Sequence, residues 1–199
     1  MCHVSVIVHY DKGLFMATTP KLLTYEEWLK LPEAEGIEEV VNGEIRKMPP
    51  NKWNHARTVE QLAMLLRGQV DPEKILVVTT VFGLVIRHEP LTTRVPDLAV
   101  FRMSGIVEHD GYIHSAPELV VEVLSPANTR AEWAEKLEDY ESLGVPEVWV
   151  VSPEARTVEV LALKDGRLQT AALLREGQLK PMHLLGVSVD IAAIWPKVR

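Results

Sequence analysis

A glutamate enclosed by aliphatic residues is the strongest chemical signal in this sequence. Glu122 interrupts LVVEVL, residues 119–124, with Val120 and Leu124 on its own face of an extended chain and Val121 and Val123 on the other. An ionised carboxylate left unpaired there would cost on the order of several kcal/mol. It therefore needs a cationic or metal partner, or it must keep its proton. A buried ion pair without chemistry is the alternative to a catalytic acid. Asp97, after Pro96 at the head of DLAVF (97–101), offers a second carboxylate from a strand that can neighbour the first. Two such acids repel unless a divalent cation lies between them, and hard oxygens with places left for water and phosphate suit Mg²⁺ or Mn²⁺. Taken alone, Pro-Asp is also a common way to begin a strand.

Lys136 completes the set. On the helix that follows, Trp133, Leu137, Tyr140 and Gly144 make the apolar stripe, and Lys136 falls roughly 70° from its centre. From that border its ammonium can reach over the sheet. The competing explanation is a surface pair with Glu132, four residues earlier. Two acids and a lysine together suit metal-assisted hydrolysis.

The elements that must position these groups are legible around them. Thr24 with Glu27 forms a capping-box pattern ahead of a short helix. Asn42-Gly43 supplies two positive-φ positions for a tight hairpin turn. Residues Trp53 to Val70 carry Val59, Leu62, Ala63 and Leu66 at helical spacing. Strands are expected at Ile75–Thr80, Phe82–Arg87, Asp97–Phe101 and Leu119–Leu124, the last buried on both faces. Asn128 or Thr129 caps a helix that runs to about Leu143, with Gly144 as its stop. Glu147–Val151 follows, giving a βαβ unit with parallel pairing. Thr157–Leu163 and Leu168–Leu174 flank an Asp165-Gly166 turn; Val187–Val189 and a helical turn through Trp195 finish the chain. The sum is a mixed α/β (α+β) sheet with two main helices and flanking hairpins.

The chain of 199 residues, 47% hydrophobic and 25% charged, has the composition of a single globular domain. Residues 1–15 form an upstream extension or an edge strand at Val4–Val8, with Met16 opening the domain proper. Cys2 is the sole cysteine, so no intrachain disulfide forms and a reducing cytosol is the expected compartment. No apolar run reaches the roughly 18 residues of a membrane helix, and the histidines lack structural-zinc spacing. The net charge of −7 removes whole-surface attraction to phosphate. Nucleic-acid contact would need a local patch, for which Lys47, Lys52, Arg57, Arg67, Arg87, Arg94 and Arg102 are the candidates.

Pro96-Asp97 with Glu122-Val123-Leu124 resembles the PD-(D/E)XK nuclease signature, whose lysine normally stands where this chain has Leu124. A lysine moved to the next helix is similar to the bacterial Uma-type restriction endonuclease-like family. The segment APELVVEVLSPANTRAEWAEKLEDYESLGVPEVWVVSP fits that pattern, with Glu122, Ser125-Pro126, Lys136, Tyr140, Gly144-Val145 and Trp149 in place. LTYEEWLKLPE, EEVVNGEIRKMPP with Glu39, a histidine at His55, and VPDLAVF are similar to the family's earlier blocks, so the likeness runs from about Leu23 to Ile191. Glu132 and Asn42 stand where the family usually has Asp.

The resemblance implies a restriction-endonuclease-like core, a Mg²⁺-type (or Mn²⁺) cofactor and hydrolysis of nucleic acid, with DNA the expected substrate. It implies Asp97 and Glu122 as metal ligands, joined by the Val123 backbone carbonyl by analogy with the superfamily. Lys136 would orient water or neutralise charge on the phosphorane. Glu39 would be a further ligand or a water-mediated base, and His55 a phosphate contact. Two other functions fit the same residues: an inactive nuclease-fold binding protein, or a hydrolase of small phosphoesters. A homodimer or higher assembly is expected, because duplex cutting needs two centres and VWVV (148–151) suits a sheet edge.

Overall fold

The computed structural model describes residues 22–79, 81–125 and 129–196. The expected strand at Val4–Val8 and the boundary near Met16 lie outside the described residues. In chain order, α1 (Tyr25–Trp28) precedes the hairpin β1 (Glu38–Val41) and β2 (Glu44–Lys47), then α2 (Trp53–Arg67). Strands β3 (Ile75–Val78), β4 (Leu84–His88), β5 (Leu91–Arg94) and β6 (Leu98–Arg102) follow, then the short β7 (Glu108–His109) and β8 (Tyr112–Ile113). Next come β9 (Leu119–Val123), α3 (Arg130–Leu143), β10 (Glu147–Ser152) and the hairpin β11 (Thr157–Lys164) and β12 (Arg167–Leu174). The paired β13 (Gln178–Leu179) and β14 (Val189–Asp190) lead into α4 (Ile191–Ile194).

The main sheet has the order β12-β11-β10-β9-β6-β3, and a second runs β2-β1-β5-β4-β8-β7. Among the described strands of the main sheet, β9 and β10 pair in parallel, across the α3 crossover, and the others antiparallel. Period-two alternation divides its side chains. Leu119, Val121 and Val123 join Trp149 and Val151 beneath Leu62, Ala63 and Leu66 of α2. Val120, Val148 and Val150 face the other way, towards Tyr140 of α3 and Leu84 of β4. Glu122 falls on this second side by alternation. No helix among the described residues is long and apolar enough to cross a membrane.

Local signals act as expected. Thr24 and Glu27 close a capping box on α1, and Thr129 with Glu132 does so on α3, which Gly144 ends at φ 83°. Asn42 and Gly43 take φ 51° and 81° in the first hairpin turn. A Cβ on Gly43 would lie 2.6 Å from Leu22 Cβ and 2.8 Å from the Leu23 nitrogen. Gly43→Ala therefore combines backbone strain with a clash against main chain. It is expected to cost about 2–4 kcal/mol, read as a lower midpoint in urea unfolding.

One expectation fails, and one strand was not expected. β10 is not at an edge: it lies between β9 and β11, with Trp149 fully buried. Among the described residues, β12 and β3 are the outer strands of the main sheet. Residues 91–94 form a buried strand, β5, although LTTR reads as polar. Its threonines explain this, because Thr93 Oγ1 accepts from the Val40 N–H at 3.0 Å and Thr92 Oγ1 from Asn42 at 3.2 Å. Hydroxyls that take backbone donors across strands are satisfied when buried.

Candidate active site

β6 runs antiparallel to β9, and the last matched pair is Leu98 with Val121. One residue further on, Asp97 stands level with Glu122 at the end of the strand pair. Its Oδ2 accepts the Val123 backbone N–H at 2.8 Å and contacts His55 Nε2 of α2 at 3.1 Å. Asp97 is thus gripped from the sheet and from a helix. Burial works against a charged His55 ring, but Asp97 beside it prevails and lifts its pKa above the ordinary value. His55 is itself buried, so its immediate partner is Asp97.

Glu122 is 6% exposed. Burial, then repulsion from Asp97, pushes its carboxyl up to about 7 against the pull of Lys136 and Tyr140. Lys136 Nζ lies 2.8 Å from Glu122 Oε1, and the Tyr140 hydroxyl donates to the same oxygen. The ammonium stays protonated: burial opposes its charge, and the facing acids Glu122 and Glu39 overcome that cost. α3 achieves this with a polar face. Lys136, Asp139 and Tyr140 follow i, i+3, i+4 spacing; Asp139 and Tyr140 are buried, and Lys136 is partly buried, as are Trp133 and Leu137. From there the Lys136 ammonium reaches Glu122 over the sheet. Sequence reasoning placed Tyr140 only as packing; its position four residues after Lys136 was the available signal.

Glu39 of β1 is 3% exposed and reaches the same place. Its Oε1 accepts the Val95 N–H at 3.0 Å and lies 3.4 Å from Lys136 Nζ, while its Oε2 meets Arg94 Nη1 at 2.8 Å. Burial would raise its pKa, but Lys136 and Arg94 outweigh burial and hold it below the usual carboxylate value. Arg94 also binds Asp139, with Nη2 2.6 Å from Oδ2. Arg94, a candidate surface cation in the sequence, is thus the centre of a buried Glu39–Arg94–Asp139 array. Asp139 was not anticipated, because nothing in its local pattern sets it apart from the acids around it.

Glu39, His55, Asp97, Glu122, Val123 and Lys136 all line one cavity of about 680 Å³. Residues 46–52, which join β2 to α2, form one wall. The seven candidate cations do not share a patch. Arg87 binds Asn42 and Thr92, Arg67 the Val77 carbonyl, and Arg102 pairs with Glu118, whereas Lys47 and Lys52 stand in the cavity wall.

Among the described residues, Asp97 Oδ1 and Glu122 Oε2 carry no protein hydrogen bond, and each belongs to a carboxylate whose other oxygen is fixed. Two hard oxygens with open volume for water and phosphate fit the habits of Mg²⁺, which uses one or two carboxylates and keeps several waters. No group of three or more His, Cys, Asp or Glu side chains able to hold a metal ion is present among the described residues.

A family model described as "Uma2: Putative restriction endonuclease" matches residues 24–192. No curated protein matches the chain. A crystal structure of a putative nuclease belonging to DUF820, from Anabaena variabilis, is similar with a TM-score of 0.69 and 21% sequence identity. The likeness covers 86% of this chain and 97% of that one, and at this identity it bears on the fold.

Proposed function

Because this chain belongs to the Uma2 family, we propose that it is a metal-dependent nuclease that hydrolyses phosphodiester bonds in DNA, with its catalytic centre at Asp97, Glu122 and Lys136. The observation that carries this reading is the Lys136 ammonium held 2.8 Å from Glu122 in the cavity that Asp97 also lines. Asp97 and Glu122 would hold a divalent ion, joined by the Val123 carbonyl. Bound there, the ion would supply Lewis-acid polarisation of the phosphate and acidify water for attack.

The chain's own groups do the rest. Lys136 brings a fixed positive charge to the phosphate, where negative charge grows in the transition state. Glu39 holds that ammonium from behind. With both oxygens engaged by protein donors and its pKa lowered, it is a positioning residue rather than a ligand or base. His55 orients Asp97 and borders the phosphate's place. Assembly as a dimer or higher oligomer, through β12 or β3, and a cytosolic location complete the reading. Cleavage of plasmid or oligonucleotide DNA in Mg²⁺ or Mn²⁺, abolished by EDTA, is the expected result. Absence of cleavage of plasmid and oligonucleotide DNA with either ion would refute it.

The proton on Glu122 gives a pH dependence with a definite sign. Its pKa rises from 4.5 to about 7 in the folded chain. The metal-free protein therefore loses stability from this group as pH rises from 4.5 through about 7. Divalent ions need the deprotonated carboxylate, so Mn²⁺ affinity should fall about tenfold per pH unit below 7 and level off above it. Titration calorimetry from pH 5.5 to 8.5 reads this slope; a flat profile would contradict the assignment of Glu122 as a ligand.

A further inference from the structure

One large exposed side chain, next in sequence to the cavity wall, is unexplained by packing. Trp53 opens α2 and is 77% exposed, in a chain whose other helix-borne tryptophans, Trp28 and Trp133, pack at least partly against a core. It makes no ring contact among the described residues. Residues 46–52 wall the cavity and lead directly into it. On a helical wheel Trp53 lies about 20° from Glu60, which lines the same cavity. Trp53 does not itself line the cavity, but it adjoins Lys52 and shares a helix face with Ala56 and Glu60, all of which do.

The acids are recessed. Glu122 and Lys136 side chains are 7% and 13% exposed, and the cavity's 680 Å³ lies within the range that encloses a small ligand, about 300–1,000 Å³. A nucleotide fits such a space, whereas an intact duplex is far wider. A base within a duplex is already stacked on both sides, so an exposed indole gains nothing from it. An unpaired base offers a free π-face, and stacking on an aromatic side chain is tolerant of base identity. Lys52, and Lys47 in a loose pair 3.7 Å from Glu38 that leaves the lysine 75% exposed, supply local positive charge that the chain's overall −7 withholds.

Resting on the nuclease reading, we propose that the substrate is an unpaired DNA strand, a single strand or frayed end, which enters the cavity with one base stacked on Trp53 and its backbone along Lys47 and Lys52. One catalytic centre suffices for cutting such a strand.

The test is equilibrium binding of fluorescein-labelled DNA in Ca²⁺, by anisotropy, with matched cleavage assays in Mg²⁺. Probes are a mixed-sequence single strand, the same strand carrying abasic sites, and a closed dumbbell duplex without ends. The expected result is preference for the single strand, a loss of about 5- to 100-fold for Trp53→Ala, near-native binding for Trp53→Phe, and weak, Trp53-independent binding of the abasic strand. Thermal melts of each variant should coincide with the parent, since the indole buries little. Equal affinity for strand and dumbbell, or unchanged strand binding by Trp53→Ala, would overturn the proposal. Cleavage that proceeds equally on the dumbbell would do the same while leaving the nuclease reading intact. Conversely, Trp53-dependent strand binding without any cleavage would support the binding mode and remove the nuclease.

Discussion

Glu122→Gln is expected to reduce metal-dependent DNA cleavage by about 1,000-fold or more while leaving the chain folded. Gln is nearly isosteric and keeps an amide oxygen to accept from the Tyr140 hydroxyl. It cannot supply the negative charge that a divalent ion requires. Lys136 would retain Glu39 at 3.4 Å, so its ammonium is not stranded. The variant therefore separates chemistry from folding. Its circular dichroism and gel-filtration behaviour should match the parent, and its Mn²⁺ affinity should lose the pH slope below 7. Cleavage within tenfold of the parent would remove Glu122 from the centre.

Arg94→Met should have the largest effect on stability. Arg94 is 3% exposed and bridges Glu39 on β1 to Asp139 on α3. Without it, Asp139 loses its ion-pair partner and Glu39 keeps only Lys136 and one backbone donor. Removing one partner of a buried pair typically costs about 3–5 kcal/mol, because the remaining charge is stranded. For a domain of this size that is a fall of roughly 10 °C in melting temperature. Arg94→Lys should recover little, since one ammonium cannot span both carboxylates as a guanidinium does. The same lesion loosens Glu39 behind Lys136, so cleavage should fall even at temperatures where the variant is folded. A melting temperature within 2 °C of the parent would show that the array contributes little, a bound set as about 1 kcal/mol.

The candidate acid Glu122 was legible for a physical reason. A charge in LVVEVL contradicts its surroundings, and the contradiction is visible wherever the strand is placed. The βαβ unit around it was equally readable, because Thr129, Glu132 and Gly144 encode the ends of α3 through local hydrogen bonds and a left-handed dihedral. Glu39 and Arg94 were different. Each looks like an ordinary charged surface residue, and only their meeting, 2.8 Å apart across 55 positions, makes them a buried pair.

By itself, then, the sequence determined the two main helices, most of the longer strands, several turns and caps, and the presence of a misplaced acid with two companions. Those features follow from dihedral preferences and side-chain periodicity, which act over a few residues. Tertiary structure decided that β10 is central, that LTTR is a buried strand, and that Lys136, Asp139 and Tyr140 of α3 meet Glu122 and Arg94. It also decided which cations face the cavity and which are consumed in ion pairs. Such outcomes depend on desolvation and Coulomb attraction between groups far apart in the chain, and their sign is fixed only when folding sets the distance.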